Sequence, residues 1–375
     1  MTKLLSSPFS RRSFLKTSAM SAAAIGLAPG GLLTPAMAQA AITVGFIYVG
    51  PKDDYGYNQA HAEGAAMLKE MAGITVVEEE NVPENVDVQK TMESMINLDG
   101  ATLVFPTSFG YFDPHMLEMA KKYPDIQFRH CGGLWTEGTH PANTGSYFGY
   151  IGQGQYLNGI AAAYASKSKK IGFVAAKPIP QVLQNINSFL LGARSVDPAI
   201  TCQVIFTGEW SLAVKEAEAT NALVDQGADV ITCHVDSPKV VVETAEGRGV
   251  KVCGHNASQA PLAPKGFITG AEYKWETIYK TYADAIAAGE VPPNFLVGGY
   301  NNDMLRNSAY GAGATPEAIA AADAAIEGLK ACKPIYTATL KDNAGNVVVD
   351  KDYDNYDPYL DGMNWLLEGV QGSIT

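Results

Sequence analysis

The commonest signatures of catalysis and metal binding are missing from this chain. Its five cysteines, Cys131, Cys202, Cys233, Cys253 and Cys332, form no C-x-x-C pair, which removes a zinc-ribbon site from consideration. No G-x-S-x-G elbow, phosphate-binding G-x-x-x-x-G-K loop or H-E-x-x-H motif occurs, and no two of the six histidines stand four residues apart as on one helix face. Gly152-Gln153-Gly154 is a lone G-x-G that does not follow the first strand, so it is no dinucleotide fingerprint. Basic residues are also scarce. With 27 Lys and Arg against 39 Asp and Glu the net charge is -12, which speaks against nucleic acid and anionic lipid, because both need clustered cations. No long apolar run follows Ala40. These absences point away from an enzyme, a metal centre and a bound cofactor.

What is present begins at the N-terminus. Ser10-Arg11-Arg12-Ser13-Phe14-Leu15-Lys16 sets two adjacent arginines before an apolar, Ala- and Gly-rich stretch from Ala19 to Leu33, and Ala36-Met37-Ala38 supplies an A-x-A cleavage signal. This is an export leader of the twin-arginine kind, residues 1–38, expected to be removed after Ala38. The rival reading is a retained amphipathic anchor, which the A-x-A site disfavours. The exported domain is therefore expected to fold first and to act in the periplasm. There an oxidising environment would permit a disulfide between Cys233 and Cys253, at the ends of successive predicted strands, although buried free thiols are the favoured reading.

From Ile42 onward, short β-branched runs alternate with helical periodicities. Strands are predicted at 42–48, 75–80, 101–106, 126–131, 146–150, 170–175, 201–206, 230–233, 250–254 and 266–270. Helices are predicted at 58–71, 86–98, 114–122, 153–166, 180–195, 215–226 and 239–248, with later ones near 275–288 and 316–330. Several strands are continuously apolar, as a parallel sheet covered on both faces requires. The pattern is a doubly wound parallel α/β set repeated twice. We expect an N-terminal lobe of residues 39–150 and 271–292 and a C-terminal lobe of 151–270 and 293–375. Three crossings would join them near a hinge at Gly149 to Gly152, with a closing hairpin of 335–340 and 346–350. Ligands of open α/β sheets bind at the carboxyl ends of the strands, so an exported two-lobed acidic protein reads as a solute-binding protein.

The segment Val44-Gly45-Phe46-Ile47-Tyr48-Val49-Gly50-Pro51, followed by Asp54-Tyr55-Gly56-Tyr57-Asn58-Gln59 and Glu63-Gly64, resembles the opening of the basic membrane protein (BMP) family of ABC-transporter substrate-binding proteins. The similarity continues through Thr107-Ser108-Phe109-Gly110-Tyr111, Gly152-Gln153-Gly154-Gln155-Tyr156-Leu157-Asn158-Gly159 and Tyr336-Thr337-Ala338-Thr339-Leu340. The resemblance implies the type I periplasmic-binding-protein fold and a monomer that carries a purine base or nucleoside to an ABC permease. It also marks a departure. Nucleoside binders of the family hold the ribose with an Asp where this chain has Asn256, so the resemblance turns toward its adenine-binding members, which share the Ser-Phe-Gly-Tyr segment and a Trp at Trp275.

A planar heterocycle needs flat apolar faces and polar groups around its edge. Tyr55, Tyr57, Phe109 and Tyr111, in loops after predicted strands, are the stacking candidates, with core packing as the rival role. Asn58, Ser108, Asp236 and Asn256 are the edge candidates, followed by His234 and His255. Asn58 and Asp236 stand equally well as helix caps. Trp135, in a Gly-rich loop, could close over ligand, with Trp210 and Trp275 as alternatives.

Overall fold

The computed structural model describes residues 41–374, and the leader with its cleavage site lies outside the described residues. The first lobe runs through β1 (Ile42–Ile47), α1 (Tyr57–Lys69), β2 (Ile74–Glu79), α2 (Val86–Asn97), β3 (Leu103–Pro106), α3 (Leu117–Lys122), β4 (Gln127–Cys131) and β5 (Thr144–Gly149). The second repeats the alternation with α4 (Gly152–Ala165), β6 (Lys170–Ala175), α5 (Pro180–Val196), β7 (Thr201–Phe206), α6 (Ala213–Asp225), β8 (Val230–His234), α7 (Lys239–Gly247), β9 (Lys251–Asn256) and β10 (Phe267–Tyr273). The chain returns to the first lobe for α8 (Trp275–Ala287) and β11 (Phe295–Gly298), then crosses again into β12 (Leu305–Asn307) and α9 (Pro316–Lys330). A short hairpin of β13 (Leu340–Lys341) and β14 (Val347–Val349), the turn α10 (Pro358–Asp361) and the edge strand β15 (Val370–Gln371) complete it.

Each lobe is built on one sheet. The first has the order β11-β5-β4-β3-β1-β2 and is parallel throughout; the second has the order β12-β10-β9-β8-β6-β7-β15, with only β12 antiparallel to its neighbour. Val44, Phe46 and Ile47 of β1 are fully buried because helices cover both faces, and Phe46 stacks on its cross-strand partner Phe105 at 4.8 Å. Helix starts follow local chemistry. The Asn85 side chain accepts the Asp87 N–H ahead of α2, Thr315 caps α9 before Pro316, and Pro180 opens α5. The pair α4 and α5 approaches through glycines: a Cβ on Gly159 would overlap the Phe189 carbonyl, and one on Gly192 the Tyr156 carbonyl.

Three segments differ from the sequence expectation. Residues 293–375 do not all belong to the second lobe, because Phe295–Gly298 pairs with Ser146–Gly149 as the outer strand of the first sheet. The hairpin shrinks, since the backbone of 335–338 is satisfied instead by the tail: Asn355 Oδ1 accepts the Ile335 N–H at 2.9 Å and Asp352 Oδ1 the Ala338 N–H at 3.0 Å. The helix expected from Pro114 starts regularly only at Leu117, because Asp113 is extended (φ -123°, ψ 125°), as residues before proline tend to be. Cys131, Cys202, Cys233 and Cys253 are buried free thiols, and Cys332 is exposed.

Candidate functional site

Crossings at Gly149 to Gly152, Tyr273 to Trp275 and Gly298 to Leu305 set the carboxyl ends of the two sheets face to face, and the lobes meet there. The loop after β1 is organised by Asp54. Its carboxylate accepts the N–H groups of Gly56 (2.7 Å), Asn58 (2.9 Å) and Gln59 (3.0 Å) and the Asn58 amide (2.8 Å), placing negative charge at the start of α1. Asn58 also receives the Gly50 N–H, so its amide is engaged within the loop, and Asp54 takes the capping role the sequence had offered to Asn58. This loop touches the second lobe through its backbone. The Tyr57 N–H donates to the Asp236 carbonyl at 2.8 Å, Ser237 Oγ to the Asp54 carbonyl at 2.9 Å, and Gln259 Nε2 to the Tyr55 carbonyl. Gly56 is required at this contact, since a Cβ would overlap the Asp236 carbonyl oxygen and Pro238. Tyr55 is left-handed (φ 58°), with Lys239 Nζ 5.9 Å from its ring.

Tyr57 is half-buried, its hydroxyl donating to the Thr107 carbonyl at 2.6 Å and its ring edge-on to His61 at 4.7 Å. Asp236 is half-buried too, and among the described residues its carboxyl has no hydrogen-bond partner. Burial, with the nearby Asp54, Glu84 and Glu216 carboxylates, pushes it up to about 8 against the pull of Lys177. Its own N–H donates to the Trp210 carbonyl at 2.7 Å, so Asp236 is joined by backbone to an aromatic residue from each lobe. Behind it, His234 Nδ1 lies 2.7 Å from Asn185 Nδ2 and its ring 5.9 Å from Trp210, while His255 meets Gln155 at 2.9 Å. The two imidazoles are 4.4 Å apart, and burial lowers both, His234 to about 3, so both are neutral. Asn256 ends β9 buried and left-handed (φ 69°), again without a side-chain hydrogen bond among the described residues.

The remaining expected residues make contacts of their own. Ser108 donates to Glu84 at 2.5 Å and its carbonyl faces His130. Phe109 is 61% exposed, and Tyr111 is buried in the first lobe with its hydroxyl on the Val82 carbonyl. Trp135 packs on an apolar cluster of the first lobe that includes Phe112, Met116 and Phe128. Trp275 is buried below the cleft, stacked between Tyr273 (4.2 Å) and His61 (5.3 Å). Sequence reasoning missed Asp54, Asn185 and Gln259. Only Asp54 had a local signal, an Asp two residues before a glycine at a helix start. No group of three or more His, Cys, Asp or Glu able to hold a metal exists among the described residues, and none of their helices is long and apolar enough to cross a membrane.

Comparison with known proteins agrees with this architecture. The family model for PnrA-like ABC transporter substrate-binding proteins (Bmp) matches residues 41–299, and the model for twin-arginine translocation signals matches residues 8–28. The chain is 37% identical over 256 residues to a purine-binding protein of Brucella abortus, covering 68% of this chain and 71% of that one. It is 30% identical over 276 residues to a putative ABC transporter glucose-binding protein of Haloferax volcanii, covering 74% and 69%. An ABC transporter solute-binding protein of Conexibacter woesei shares the fold with a TM-score of 0.67 at 24% identity, over 78% of this chain and 97% of that one. The chain therefore belongs to the Bmp family of ABC-transporter substrate-binding proteins, two-lobed type I binding proteins and not enzymes, and carries a twin-arginine signal for periplasmic export.

Proposed function

We propose that this protein captures a purine base such as adenine in the cleft between its lobes and delivers it to the permease of an ABC importer. The observation that carries the reading is the unbonded Asp236 carboxyl at the closed lobe contact, joined to Tyr57 on one side and Trp210 on the other. A carboxyl that keeps its proton at neutral pH offers one donor and one acceptor. On the N7 edge adenine presents the complementary pair, the N6 amino donor beside the N7 acceptor, whereas a 6-oxopurine presents two acceptors there, O6 and N7. Tyr57 and Tyr55 supply ring faces, Asn256 a second polar contact, and the Brucella relative supports a purine.

Adenine should bind more tightly than adenosine. A carboxylate on two ribose hydroxyls makes charge-assisted bonds roughly twice as strong as neutral ones, and Asn256 has no such charge. A hydroxyl left unpaired in the closed cleft would cost about 1 to 3 kcal/mol. Calorimetric titration with adenine, hypoxanthine, adenosine and glucose tests the reading, with Asn256→Asp expected to gain adenosine affinity. Tighter binding of adenosine than adenine by the wild type would refute the base preference, and a response to glucose alone would assign the cleft to a sugar, as in the name of the Haloferax relative.

A further inference from the structure

Arg306, on β12 of the second lobe, is pinned to its own lobe by Glu272 of β10, where Nε reaches Oε2 at 2.7 Å, and the other Glu272 oxygen takes the Ser308 hydroxyl. Its two remaining nitrogens cross to the first lobe, Nη1 to Glu276 Oε1 of α8 at 2.8 Å and Nη2 to Glu63 Oε2 of α1 at 3.2 Å. The contact continues. Glu63 Oε1 accepts from Gln59 Nε2 at 2.9 Å, Gln59 Oε1 accepts the Tyr55 N–H at 3.1 Å, and the Gln59 N–H donates to Asp54 at 3.0 Å. The far end of this chain is therefore the loop that also meets Asp236 and Gln259 of the second lobe.

We propose that Arg306 is a positioning residue for ligand capture, which grips Glu63 across the lobe boundary and so fixes, through Gln59, the loop bearing Tyr55 and Tyr57. Tyr55 needs such support, because a non-glycine residue at φ 58° is held there only by its surroundings. The planar guanidinium directs three donors to three carboxylates at once, which an ammonium on a flexible stem does not reproduce. The relay works by making the aromatic loop well ordered when the lobes approach, so the cost of ordering it is not charged to the ligand. It rests on the cleft described above as the binding site and not on which ligand enters.

Hydrogen exchange of the exported chain tests this, comparing wild type with Arg306→Gln, Arg306→Lys and Glu63→Gln. Exchange at residues 51–60 integrates every visit to the closed arrangement, so it reads with or without added adenine. Arg306→Gln and Glu63→Gln should each accelerate exchange at 51–60 by roughly fivefold or more, the lower end of ordinary coupling between sites. Their combination should add little, Arg306→Lys should fall between, and residues 170–175 should not change. Adenine should leave both variants faster by a similar factor. Acceleration confined to 270–276 and 303–308, with 51–60 at the wild-type rate, would mean that Arg306 only fastens its own strand and would overturn the proposal. Should Arg306→Gln fail to fold, Glu63→Gln decides, since its carboxylate lies partly exposed on α1. A wild type that ignores adenine would sink the purine reading while leaving the exchange comparison decisive for Arg306.

Discussion

Replacing Gly56 by alanine should block closure while leaving each lobe intact. The added Cβ would overlap the Asp236 carbonyl oxygen and Pro238, and both belong to the opposite lobe. To relieve the overlap the lobes must stay apart by about 1 Å or more, which is enough to break hydrogen bonds of ordinary length. Three are at stake: Tyr57 N–H to Asp236, Ser237 Oγ to the Asp54 carbonyl, and Gln259 to the Tyr55 carbonyl. At about 0.5 to 1.5 kcal/mol net each, their loss weakens the closed state by about 1.5 to 4.5 kcal/mol, or roughly tenfold to two-thousandfold in Kd. Calorimetry with adenine measures that loss, small-angle scattering shows whether adenine still compacts the molecule, and a thermal melt without ligand monitors the fold. The ligand-free Tm should stay within about 2 °C of wild type, because the atoms nearest the added Cβ belong to the opposite lobe. Wild-type affinity in Gly56→Ala, or a ligand-free Tm lowered as much as the liganded one, would refute the reasoning.

Asp236 gives a pH signature: in the open cleft its carboxyl returns toward its ordinary value of 3.8, whereas in the closed form it sits near 8. Closing therefore takes up a proton between those values, so affinity should fall as pH rises from about 4 to 8 and level off above, and Asp236→Asn should remove the slope. Titration at pH 6 in buffers of different ionisation enthalpy reads the proton directly, and proton-neutral binding would contradict the assignment. Gly192→Ala forces a methyl into the Tyr156 carbonyl and should cost at least about 2 kcal/mol in urea unfolding; a loss under about 0.5 kcal/mol would show that α4 and α5 separate without penalty. Exchanging Arg11 and Arg12 for lysine should leave the precursor in the cytoplasm on cell fractionation, and normal periplasmic yield would exclude the twin-arginine route.

The alternation of strands and helices was legible because it is local: β-branched runs and periods near 3.6 mark themselves. The placement of Phe295–Gly298 was not, since its partner Thr144–Gly149 lies about 150 residues away and either lobe would accept such a strand. Side-chain roles in the cleft were harder still. Asn58 and Asp54 are both short polar residues at a helix start, and only three-dimensional geometry shows that one carboxylate collects four donors while the amide is consumed beside it. Trp275 opens a helix at a lobe crossing, a position compatible with either cleft or core, and the packing of Tyr273 and His61 decides for the core. Phe109 stands in the expected loop, yet its ring is turned to solvent.

The edge strand β15 bears on when this protein becomes fit for export. Val370 and Gln371 lie alongside Cys202 and Gln203 of β7, Gly369 accepts the Cys202 N–H at 3.0 Å, and Asn343 reaches the Val370 carbonyl. Until that segment leaves the ribosome, β7 keeps a row of unpaired backbone groups, the kind of edge through which chains aggregate. A product broken off before Gly369 would carry a complete leader and an unfinished second sheet. The twin-arginine route carries folded proteins, so this pairing bears on fitness for export: β15, which follows its partner β7 by about 168 residues in the chain, closes the exposed edge. Pulse labelling of chains truncated at 368 should find them retained and proteolysed in the cytoplasm, while full-length chains leave.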